Sequence, residues 1–152
     1  MKLTFLILSL FLLLTTPLFG QSSERPESIV VPISSLGDVS DTRKQILQNT
    51  LTQELSKYYQ ILPQDRFEQV QEQVFEELNY EECTEDQCIV RIQEILQIEN
   101  LFHLQVIGEE GDTQLNLKWV NLDEKKNQTD YCEDCKTKEL NQRVVGLSLI
   151  HI

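Results

Sequence analysis

Four cysteines are the residues whose type and spacing could do chemistry: Cys83 and Cys88 as C-x4-C, and Cys132 and Cys135 as C-x2-C. C-x2-C is the spacing of a thiol–disulfide oxidoreductase, whose attacking sulfur needs a nearby cation or helix N-terminus to hold it as thiolate. Glu133 and Asp134 lie between the thiols and act the other way. Nor does the pair follow the early strand of a thioredoxin-like pattern. The two motifs could instead each give a ligand pair to zinc. An oxidising compartment favours disulfides over thiolates, and the chain carries an export signal, so two structural disulfides are expected, with no metal and no cofactor. Four cysteines allow three pairings. If Thr84 caps a helix, Cys83 and Cys88 occupy the N′ and N4 positions that meet in a hydrophobic staple, which favours Cys83–Cys88. Cys132–Cys135 then closes a tight turn, and each short loop contributes less than the usual 2–4 kcal/mol. An oxidoreductase using Cys132 and Cys135 is the alternative.

Other catalytic signals are weak. His103 sits between Phe102 and Leu104 in an apolar strand pattern and reads as a strand histidine, not a base. Glu76-Glu77 and Glu81-Glu82 fall near a helix end, where negative charge opposes the dipole; they read as solvated charge or as a contact for a basic partner. No glycine loop suited to phosphate is present, and no small-molecule substrate is evident. Asn127-Gln128-Thr129 matches a glycosylation acceptor, a motif that matters only in a eukaryotic host.

The elements that must position these residues follow from periodicity. Ile29 to Ile33 is a β-branched strand that Pro32 ends or puts at an edge. A loop over 34–40 leads to a helix capped by Ser40 or Asp41, with Leu47, Leu51, Leu55 and Tyr58 on one face and Ile46 beside them. Tyr59 to Leu62 is a brief strand. Asp65 and Glu68 form a variant capping box for a helix whose Phe67, Val70, Val74 and Leu78 align. A third helix starts after Thr84 and buries Ile89, Ile92, Ile95 and Leu96. Leu101 to Ile107 is a strand, Gly108 to Asp112 a turn, and Leu115, Leu117 and Trp119 alternate with polar residues as in a half-buried strand. Gln128 to Cys132 is the last strand and Lys138 to Val145 the last helix. The order β-α-β-α-α-β-β-β-α predicts an α/β (α+β) fold, a mixed sheet with helices packed on it.

The ends set the compartment. Lys2, the apolar run Phe5–Leu14, and the small residues Gly20 and Ser22 form a signal peptide over 1–20, followed by a leader over 21–28. Residues 29–147 read as a single domain. The segment 148–152 has the look of translated adapter sequence, so a non-native tail on a truncated chain is expected. The sequence has 13 basic and 25 acidic residues, a net charge of −12. Such a surface repels phosphate backbones and anionic headgroups, which excludes nucleic acid as a natural partner.

Residues 29–147 also resemble a known group. The stretches LTQELSKYYQILPQDRFEQV (51–70), CTEDQCIVRIQEILQIENLFHLQVIG (83–108) and TQLNLKWVNLDEKKNQ (113–128), then CEDC, are similar to periplasmic α/β domains of CsgG-like, curli-secretion-channel-related proteins. Outer-membrane activators of penicillin-binding proteins and the TolB N-terminal domain share this architecture. The resemblance implies a non-enzymatic envelope domain, periplasmic or secreted, that contacts another envelope protein or self-associates. It supplies no catalytic residue. The sequence lacks the group's lipidated cysteine after the signal peptide and any membrane-inserting hairpin.

Overall fold

The structure is a computed structural model and describes residues 25–78 and 85–149. The signal segment 1–20, Cys83, Thr84, Glu81-Glu82 and residues 150–152 lie outside the described residues.

The β-branched run at Ile29–Val31 seeds strand β1, Glu27–Gly37. Pro32 does not end it. Val31 pairs with His103 and Ser34 with Gln105, so Pro32 and Ile33 bulge opposite the single residue Leu104. A bulge spares the ladder the donor that proline lacks, and the expected loop at 34–40 therefore begins only after Gly37. The Ile33 N–H is taken by Gln48 Oε1 at 3.1 Å. Helix α1, Asp41–Leu55, is capped by Ser40, whose hydroxyl accepts from the Arg43 N–H at 3.2 Å. Its stripe of Leu47, Leu51 and Leu55 is fully buried. The helical period stops at Leu55, so Tyr59 turns inward in place of the expected Tyr58 and meets the Phe102 ring edge-to-face at 5.1 Å.

Strand β2, Gln60–Ile61, leads through Pro63 into helix α2, Gln64–Leu78. The helix starts one residue ahead of the expected cap, and Asp65 accepts from the Arg66 N–H inside the first turn. Helix α3, Glu85–Leu96, buries Cys88, Ile89, Ile92 and Leu96. Strands β3 (Asn100–Glu109), β4 (Asp112–Val120) and β5 (Lys125–Cys132) form an antiparallel meander, and helix α4, Thr137–Leu149, follows. Only Glu110 and Gly111 separate β3 from β4. Both have positive φ, 49° and 99°, the pair of values a two-residue hairpin needs, so pairing continues to Glu109 and Asp112, inside the five-residue turn expected over 108–112. Helix α4 extends past Val145 because Leu147 and Ser148 are buried beneath it; Ser148 and Leu149 are thus helical.

The sheet order is β2-β1-β3-β4-β5, with β1 parallel to β2 and β3 and the rest antiparallel. Fold class and element order are those expected from the sequence. Beside β2, β1 is paired only at Glu27 and Ser28. Alternation along the strands splits the interior in two. Phe102, Leu104 and Val106 of β3 join Leu115, Leu117 and Trp119 of β4 under α1 and α4. On the opposite face, α2 and α3 cover the end bearing Ile29, Leu101 and Val120. Further along that face His103, Gln105 and Ile107 of β3 and Gln114, Asn116 and Lys118 of β4 are only half-buried.

Candidate functional site

Cys132 closes β5 and is buried, while Cys135 is half-buried two residues before α4. The two are bonded, with Cα atoms 5.8 Å apart. Asp134 between them takes a positive φ of 51°. This turn lies against the β3–β4 hairpin: a Cβ on Gly111 would stand 2.7 Å from Asp134 Oδ1, so glycine serves both the backbone angle and the approach. The Tyr131 hydroxyl donates to Asp112 Oδ2. That hydrogen bond, then desolvation and the charges of Asp112, Glu133 and Glu109, push its pKa up to about 12. Arg143 of α4 reaches Asp130 of β5 at 2.6 Å, and Glu139 accepts from the Lys136 N–H at 2.8 Å, fixing the start of α4. An open cleft of about 770 Å³ results, bordered by Tyr131, Glu133, Asp134, Glu139, Gln142 and Arg143.

This end of the molecule suits contact better than nucleophilic chemistry. Cys132 is buried, and carboxylates flank it on the chain and in space. His103 is not near the pair: it stands opposite Lys118, whereas Cys132 stands opposite Thr113, level with Gly108 five residues along β3. Cys88 on α3 is buried and disulfide-bonded. Among the described residues no three His, Cys, Asp or Glu side chains are grouped to hold a metal ion.

A second feature lies on the half-buried stretch of the sheet that no described helix covers. Cross-strand register sets His103, Lys118 and Asn127 in one row and Gln105, Asn116 and Thr129 in the next. A groove of about 220 Å³ is lined by His103, Gln105, Asn116, Lys118 and Asn127 of these rows, with Lys125 and Lys126. The polar half of β4 is visible in sequence as Gln114, Asn116 and Lys118. Its alignment with β3 and β5 depends on register, which a single sequence does not disclose.

This architecture defines an α/β domain with a half-covered mixed sheet. The C-terminal domain of LpoB from Salmonella enterica has a similar fold, with a TM-score of 0.54 and 10% identity over 75% of this chain and 87% of that chain. The lipoprotein GNA1162 from Neisseria meningitidis aligns at a TM-score of 0.48 with 12% identity, covering 80% of this chain and 92% of that one. The LpoB C-terminal domain from Escherichia coli gives 0.47 and 8%, over 70% and 82%. No protein-family model and no curated protein matches the sequence.

Proposed function

We propose that this chain is an exported, non-enzymatic accessory domain of the cell envelope that binds another envelope protein or self-associates. The observation that carries the reading is the sheet left half-covered by α2 and α3, a broad strand surface set on a rigid scaffold. The fold likeness to the LpoB domain supports it from the activator side of the group that the sequence resembles. In this reading a Cys83–Cys88 bond fixes the entry to α3, and Cys132–Cys135 fixes the turn before α4. A thiol–disulfide oxidoreductase using Cys132 and Cys135 is served less well, because the first sulfur is buried among acidic neighbours.

Site-specific photo-crosslinking in intact cells tests the reading. A crosslinker at Gln114, on the uncovered face, is expected to trap an envelope protein or a second copy, while one at exposed Glu72 on α2 traps neither. Absence of any adduct from the uncovered face, together with reduction of insulin by the purified protein, would overturn it in favour of the enzyme.

A further inference from the structure

Strand β5 ends the sheet order, and among the described residues no other strand pairs with it on the side away from β4. Its register with β4 runs unbroken from Lys125 to Cys132, with no proline and no bulge. Among the described residues, 126–131 make no backbone hydrogen bond outside the β4 ladder, so every second residue turns its N–H and C=O outwards. Helix α4 flanks this margin without filling it. A cleft of about 570 Å³ between them is bordered by Gln128, Asp130, Arg143, Gly146 and Leu147. A Cβ added at Gly146 would meet nothing within 4 Å, so the helix leaves room beside the strand.

Lysine on an edge ordinarily discourages strand addition. On β5 it does so selectively, because Lys126 lies near one end and Asp130 near the other, with uncharged Asn127, Gln128 and Thr129 between. Lys126, Gln128 and Asp130 stand opposite Trp119, Leu117 and Leu115, on the side of α1 and α4. A second copy related by a two-fold axis normal to the sheet keeps its helices on that side, so even-numbered residues meet even-numbered ones. Registers centred on Lys126 or Asp130 set like charges face to face, and one centred on Asn127 sets Asp130 against Glu124. The register centred on Gln128 sets Lys126 opposite Asp130 at both ends and Asn127 opposite Thr129. Neither charged side chain has to leave its present contact. Among the described residues Asp130 gives Arg143 only Oδ1, and the Lys126 ammonium, 2.9 Å from Glu124, carries three donors.

We infer that β5 pairs with β5 of a second copy of this chain, antiparallel and centred on Gln128, joining two five-stranded sheets into one. The inference gives the self-association of the proposed function a surface and rests on that reading. The two-fold axis closes the assembly at two copies. A strand edge buries little area, so the dimer is weak and depends on concentration. Repulsion between two acidic copies is largely screened beyond about 8 Å at physiological ionic strength, which leaves the local pairing to decide the register.

Sedimentation equilibrium of the purified protein over a wide concentration range tests this. A monomer–dimer equilibrium with no larger species is expected. Lys126→Glu exchanges two attractive cross-strand pairs for two repulsive ones and should weaken the dimer about tenfold. Gln128→Lys sets like charges face to face on the axis and should weaken it about as much, roughly tenfold. Arg66→Glu makes the same change in net charge at an exposed site on α2 and should leave the dimer as it was. Far-UV circular dichroism spectra of all three variants should match that of the parent. A monomer at every concentration, larger oligomers, or a dimer indifferent to Lys126→Glu and Gln128→Lys would overturn the inference. So would equal weakening by Arg66→Glu, which would reduce the effect to net charge. Adducts from Gln114 to another envelope protein, in a chain that sediments as a monomer, would leave the protein-binding role standing and remove this dimer from it.

Discussion

At Tyr131 a single hydrogen bond sets a measurable property. Its hydroxyl donates to Asp112, which favours the protonated phenol and raises its pKa to about 12. The folded value lies above the ordinary one near 10, so this contact contributes stability below pH 10 and loses it as pH rises towards 12. Asp112→Asn should bring that tyrosine's midpoint back towards 10 in an ultraviolet titration; a midpoint left near 12 would mean the carboxylate is not the cause. Gly37 is the position where the backbone tolerates least. Its φ is +73°, and a Cβ there would lie 1.9 Å from the Gly108 carbonyl oxygen. Gly37→Ala should therefore cost at least about 2 kcal/mol in urea unfolding, the left-handed penalty plus displacement of β3. Neither effect is legible in the sequence, since both depend on residues far apart in the chain meeting across a sheet. The Ser40 cap is legible, because its partner is three residues away.

Between elements, the Cys132–Cys135 link joins the end of β5 to the approach of α4. A loop this short restrains the unfolded chain by about 2 kcal/mol at most. Cys132→Ser with Cys135→Ser should thus lower stability by about 1–2 kcal/mol in urea and keep the far-UV spectrum; loss of the fold would show that the link does more than close a turn. Arg143–Asp130 and the Glu139 bond to Lys136 hold the same junction without it. Element identity was readable from period-2 and period-3.6 patterning, which burial imposes on neighbours in sequence. Element ends were less so. Pro32 reads as a stop or an edge marker; the edge holds and a bulge carries the strand past it, while Tyr58 fits a helical stripe that ends three residues earlier. In both cases tertiary contacts, with Gln48 and with Phe102, override the local pattern.

For the whole molecule, the division of the sheet between two helical layers explains why one stretch of one face is only half-buried among the described residues while the core stays closed. That division was implicit in the order of elements, but which strand rows remain uncovered follows from register alone. The bulge at Pro32 has a wider consequence. Beyond Ser28 the outer margin of β1 has no neighbouring strand among the described residues, a template on which another chain could grow. Proline presents no donor there, and Gln48 occupies the next one, at Ile33. Two adjacent rungs are thereby removed from the margin. Pro32→Thr should leave stability similar but speed the formation of thioflavin-positive fibres at high concentration, whereas Gln48→Ala alone should have a smaller effect. The proline that looks like an interruption of the strand acts as a guard against the chain polymerising through it.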